Sequence, residues 1–115
     1  MKVRFKTSHR KYRDLTPGNV YRVIGIEADQ YRIMNDAGRP YLYPPKIFQV
    51  VDAAEPRQWH TWFGEDGEKY SYPEDLQSPG FFEEYFDGNP KVMATLHRYL
   101  ETLSQSGQVS KRKAG

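Results

Sequence analysis

The sequence predicts a mostly β, α+β chain: a small barrel, an extra β-hairpin and a C-terminal α-helix. Three observations predict it. Five short runs rich in alternating, β-branched or aromatic residues fall within the first 51 residues, parted by tight turns. A further pair of such runs flanks Gly64-Glu65-Asp66-Gly67, with Asp-Gly as the turn signal. Beyond Asn89-Pro90, apolar residues recur at helical spacing.

The first strand is Lys2-Val3-Arg4-Phe5-Lys6, where polar and apolar residues alternate. Ser8 to Arg13 is polar and basic and reads as a loop. Leu15-Thr16-Pro17-Gly18 is a turn, because Pro presets φ and Gly accepts positive φ. Val20 to Ala28 is the second strand and Tyr31 to Met34 the third. Asn35-Asp36-Ala37-Gly38 joins the third to Pro40-Tyr41-Leu42-Tyr43, whose Pro predicts an edge position or a strand start. Pro44-Pro45-Lys46-Ile47 cannot extend a strand and predicts one 3₁₀ turn before Phe48-Gln49-Val50-Val51.

Asp52 to Pro56 reads as a linker. Gln58–Phe63 and Glu68–Tyr72 form the added hairpin. Ser78-Pro79-Gly80 predicts a Ser cap and a Pro start for a short helix through Phe81–Phe86, ended by Gly88. Val92, Met93, Leu96, Tyr99, Leu100 and Leu103 predict a helix over about 90–104 that covers the sheet. The expected organisation is therefore a barrel over 1–52, with the hairpin and both helices over 53–104 packed on it. Residues 105–115 are expected to form a disordered basic tail.

The two hairpins share a template. Gly38, Tyr41, Tyr43, Pro44 and Ile47 recur as Gly67, Tyr70, Tyr72, Pro73 and Leu76, at a constant offset of 29. An internal duplication and two independent hairpins of similar shape both fit. In either case Gly gives positive φ, the two Tyr share one strand face, and Pro ends the strand.

Composition narrows the function classes. The 115 residues contain no Cys, so disulfides, thiolate metal sites and thiol nucleophiles are excluded. Mean hydropathy is −0.87 and no apolar run is long enough for a membrane span. Met1 to Arg13 lacks the apolar core of a secretory signal, and a cytoplasmic address is expected. His9, His60 and His97 have no metal-ligand spacing. Neither a Gly-rich phosphate loop nor Gly-x-Ser-x-Gly occurs. Glu83-Glu84 with Asp87 reads as an exposed helix face, and His60 with Glu65 or Asp66 lacks a nucleophile to serve. The expectation is a non-enzyme without a cofactor or metal.

The net charge of +2 hides a segregation. Residues 1–51 carry +6, residues 52–87 carry −8, and residues 88–115 carry +4. The acidic middle also holds Trp59, Trp62, Tyr70, Tyr72 and four Phe. Acids steer a basic partner and rings supply affinity, so this segment is the candidate protein-binding surface. Its expected contact residues are Trp59, Trp62, Glu65, Asp66, Glu68, Tyr70, Tyr72, Glu83 and Glu84. Trp59 and Trp62 differ in strand parity, so one is expected in the core and the other outside. The other reading is that most of these rings are core and the carboxylates a solvated face. The alternative function is nucleic-acid binding by the basic arm Lys2, Arg4, Lys6, Arg10, Lys11 and Arg13, which has no acid among its thirteen residues.

The stretch Leu15-Thr16-Pro17-Gly18-Asn19-Val20-Tyr21-Arg22-Val23-Ile24, then Tyr31 to Gly38, Tyr41-Leu42-Tyr43-Pro44 and Phe48 to Asp52, resembles small bacterial SH3-like β-barrel proteins. The resemblance covers about a third of the chain and carries no site residues. It implies an SH3-like barrel and a protein-binding module, since some such proteins are immunity proteins that inhibit toxins. Combined with the charge pattern, the expected partner is a protein, most specifically a cognate basic toxin. Nucleic acid is the second partner considered, and no membrane is expected.

Overall fold

A computed structural model describes residues 1–7 and 11–114, the side chains of 105–114 excepted. It contains seven strands: β1 (Lys2–Phe5), β2 (Val20–Glu27), β3 (Gln30–Met34), β4 (Pro40–Tyr43), β5 (Phe48–Asp52), β6 (Trp59–Phe63) and β7 (Lys69–Pro73). Two helices follow, α1 (Phe81–Phe86) and α2 (Pro90–Ala114). The chain divides into two compact units, Met1–Pro73 and Glu74–Gly115. The division falls after the added hairpin rather than in the 52–56 linker, because β7 pairs with β2 and joins the hairpin to the first sheet.

The first unit is built around β2. Its first half pairs with β1, Arg22 opposite Lys2 and Val20 opposite Arg4. Its second half pairs with β3, Ile26 opposite Tyr31. A register shift between Val23 and Gly25 inserts Ile24 as an extra residue. That bulge lets Val23 and Ile26, three positions apart, both enter the core. Beyond the end of β1, the edge of β2 away from β3 is taken by β7, with Ser71 opposite Ile26.

The path of the sheet is β4-β3-β2-β1-β5, all antiparallel. Among the described residues no pairing joins β4 to β5, so the sheet stays open where a barrel is expected. The chain between them explains the gap. Pro44 and Pro45 bring no N–H to a ladder, and a 3₁₀ turn (Pro45–Ile47) intervenes before β5. β4 is an edge strand, as its Pro40 predicts.

Val3, Phe5, Leu15, Val23, Ile26, Ile33, Tyr43, Ile47, Phe48 and Trp59 form the core of this unit. Phe48 is its aromatic hub, with ring centroids 6.1 Å from Phe5 and 6.3 Å from Tyr43. The segment before β2 is tied to the β3–β4 turn: Thr16 Oγ1 and Tyr21 OH both donate to the Asp36 carboxylate, at 2.6 and 2.8 Å.

The second unit contains a 3₁₀ turn (Glu74–Leu76), α1 and α2, with the first two packed on α2. Leu76, Phe81, Phe82, Tyr85, Leu96 and Tyr99 are its buried apolar residues. Ser78 does not cap α1. Gly80, in the left-handed region, takes the cap position, and the Phe81 N–H bonds to the Ser78 carbonyl. Asn89 does cap α2, its Oδ1 accepting the Lys91 N–H at 3.0 Å. The backbone of α2 continues past Ser104 to Ala114, beyond the end that apolar spacing sets. The side chains of the tail expected over 105–115 lie outside the described residues. Among the described residues no helix is long and apolar enough to cross a membrane.

Candidate functional site

The β6–β7 hairpin closes on a turn that its own residues satisfy. Gly67 adopts φ 80°, and its N–H reaches the Gly64 carbonyl at 3.0 Å. The Gly64 N–H bonds to the Glu68 carbonyl at 2.9 Å. Glu68 folds back so that its carboxylate accepts the Asp66 N–H at 3.1 Å. Glu65 and Asp66 project at the tip and are exposed.

Register then decides which rings meet. Trp62 lies opposite Tyr70, and the two rings stack with centroids 5.7 Å apart and an interplanar angle of 6°. Trp62 remains 41% exposed. Its neighbour Phe63 points to the other face and is 64% exposed, the most exposed large apolar side chain described. Among the described residues β6 pairs only with β7, so its outer edge carries backbone groups outside any ladder. One short strand thus presents apolar rings on both faces and a free edge, beside an acidic turn.

Two expected contact residues are elsewhere. Trp59 belongs to the core at 8% exposure, and its indole N–H finds no acceptor. It shares the inward parity of Thr61 and Ser71, whose hydroxyls bond at 2.7 Å. Tyr72 is also buried. Its ring lies over Gly25, where a Cβ would meet ring carbon at 2.0 Å. Its hydroxyl donates to Glu27 at 2.9 Å and accepts from Arg32 Nε at 3.0 Å. Arg32, 5% exposed, completes the network with bonds to Glu27 at 2.8 Å and to the Pro40 carbonyl at 2.9 Å. Burial raises the Tyr72 phenol above its ordinary value, with Glu27 raising it further against the lowering influence of Arg32. This is a structural junction of β2, β3, β4 and β7.

Glu83 and Glu84 are exposed on α1, in the second unit. Sequence reading missed Phe63 as an exposed ring beside Trp62. Alternation assigns one of two neighbouring residues to the interior, and only the edge position of β6 leaves both Trp62 and Phe63 outside.

The basic arm divides as well. Lys2 and Arg4 face outward from β1, whose Val3 and Phe5 are buried, and Lys6 is exposed just after it. Lys11 and Arg13 are exposed on the following loop, with Lys11 Nζ 5.2 Å from the centre of the Tyr12 ring. Arg10 lies outside the described residues. Among the described residues no group of three or more His, Asp or Glu side chains is placed to hold a metal ion.

No family model, curated protein or solved structure matches the chain.

Proposed function

We propose that the chain is a non-catalytic, cytoplasmic protein-binding module whose contact surface is the β6–β7 hairpin. The exposed Trp62–Tyr70 stack beside Phe63, on an unpaired edge strand, carries the reading. Exposed aromatic clusters of this kind act as anchors once a partner covers them. Glu65 and Asp66 beside them favour a basic partner by steering its approach. The most specific form of the proposal is an immunity-type inhibitor of a basic toxin. An SH3-like plan for residues 1–52 is part of the same proposal. It is supported by a β2 strand shared between two partners and by a 3₁₀ turn before β5.

The test is coexpression with the protein encoded beside this gene. A toxic neighbour that this chain neutralises supports the proposal when Trp62→Ala with Phe63→Ala abolishes protection while leaving the melting temperature unchanged. Reversing Glu65 and Asp66 to Lys should slow association and weaken its salt dependence. Protection that survives the double aromatic change overturns the assignment of the surface.

A further inference from the structure

The outer face of β1 carries a second built feature. Arg22 lies opposite Lys2, and Gln49 opposite Arg4, so Lys2, Arg4, Lys6 and Arg22 form one cationic face across β2, β1 and β5. None of the four has an ion-pair partner among the described residues. At one end of this face Arg4, Phe5, Lys6, Thr7, Gly18 and Gln49 line a concavity of about 330 Å³. Two cations, an amide and a hydroxyl line it, and among the described residues no acid does. Lys6 is held at the rim because its ammonium donates to the Lys46 carbonyl at 3.1 Å, which leaves two N–H donors. Among the described residues the one acid in register with β1 is Asp52, opposite Lys2 at the far end, and its Oδ1 accepts the Ala54 N–H at 2.9 Å.

We propose that this concavity binds a phosphate of a single-stranded nucleic acid, with neighbouring phosphates running along Lys2 and Arg22. Charge complementarity carries the choice of ligand. Side chains two apart on a strand recur roughly every 6.6 Å, close to the step between successive phosphates on an extended strand. Arg4 offers a planar fork for two phosphate oxygens and Lys6 a point charge. Val20, opposite Arg4 and 44% exposed, gives an apolar wall for the sugar. This surface is independent of the β6–β7 hairpin.

The experiment is fluorescence anisotropy of a labelled mixed-sequence oligonucleotide of about 12 residues, a length within the site sizes of small single-strand binders. The full chain is titrated across a salt series. Binding at low salt is expected, with a log–log slope of about −0.7 for each phosphate neutralised. Arg4→Ala with Lys6→Ala should reduce the slope by about 1.4 and weaken binding at low salt roughly tenfold. Arg4→Lys with Lys6→Arg should keep the slope, and Trp62→Ala should change nothing. Both cations are exposed, so circular dichroism should show an unchanged melt. Absence of binding at low salt overturns the proposal. So does a slope that survives the double alanine change, which assigns binding to another basic segment such as Lys111-Arg112-Lys113. Inorganic phosphate competing as well as the strand, phosphate for phosphate, reassigns the concavity to a small phosphorylated ligand and overturns the strand.

Discussion

The β3–β4 and β6–β7 hairpins are the same object locally and opposite objects in the sheet. Their cross-strand pairs match one for one at the offset of 29: Tyr31–Tyr43 with His60–Tyr72, Arg32–Leu42 with Thr61–Ser71, Ile33–Tyr41 with Trp62–Tyr70, and Met34–Pro40 with Phe63–Lys69. Both turns end on Gly with positive φ, at 73° and 80°. Both second tyrosines are buried and donate to a carboxylate, Tyr43 to Asp14 at 2.7 Å and Tyr72 to Glu27 at 2.9 Å. Even the turn N–H groups correspond. Asn35 Oδ1 accepts from Ala37 at 3.0 Å, and the Glu68 carboxylate accepts from Asp66. The difference is which strand docks. The first hairpin attaches by its leading strand β3, so β4 is the edge. The second attaches by its trailing strand β7, so β6 is the edge. Ile33 is wholly buried, and its counterpart Trp62 is exposed. One local template therefore yields core from one hairpin and exposed rings from the other.

Three sets of substitutions break or sharpen this correspondence, the largest effect first. Gly25→Ala should act through the second hairpin alone. Its Cβ would displace the Tyr72 ring and open the Glu27–Arg32–Tyr72 network, at a cost of about 3 kcal/mol in denaturant unfolding. A change below about 1 kcal/mol would mean that Tyr72 is not held as described.

Next come the paired phenols. Tyr43→Phe and Tyr72→Phe should each cost about 2 kcal/mol at neutral pH, because each removes a bond to a carboxylate. Burial holds both hydroxyls above the ordinary tyrosine value, so the folded state keeps protons that the unfolded chain releases first. Stability from each is present below pH about 10 and is lost as pH rises beyond it. Each Phe variant should flatten that alkaline decline, read from melting temperature against pH. Flattening by one variant alone would separate the hairpins.

The smallest effects belong to the turns. Gly38→Val and Gly67→Val should cost about 1 to 2 kcal/mol each, by strain alone, since a Cβ at either meets nothing within 4 Å. Unequal costs in differential melting would show that the turns differ in conformation despite their matching register.

This comparison also locates what the sequence discloses. Gly38, Gly67 and the Tyr-x-Tyr-Pro runs state the shape of each hairpin, because turn geometry and strand parity are local properties. The opposite parity of Trp59 and Trp62 states that one is core and one is not. The docking of β7 on β2 depends on Ile26 meeting Ser71, a pairing between distant segments with no local signature. The burial of Tyr72 follows from Gly25, which reads in isolation as a weak point in a strand rather than as the seat of a ring. The open sheet was hidden for a related reason: strand positions are local, but closure depends on how β4 and β5 meet. The cationic face was legible as alternating residues in β1, whereas Gln49 and Gly18 join it only through the fold.

The second hairpin is fastened to β2 by the register pair Ile26 with Ser71, by the Tyr72 ring on Gly25 and its hydroxyl on Glu27, by Trp59 in the core, and by a clamp at the β2–β3 turn. Asp29, with φ 68°, donates its N–H to the Lys69 carbonyl at 3.0 Å and accepts the Lys69 N–H on its side chain at 2.9 Å. Among the described residues β6 itself is paired on one side alone, so it is the first strand of the hairpin expected to open on the time scale of amide exchange. The β6 amides should exchange with solvent deuterium well before those of β1 and β3, which lie between two strands. A bound partner would then register first as slowed exchange across Thr61, Trp62 and Phe63. Recognition by this surface and the rigidity of its hairpin become one measurement.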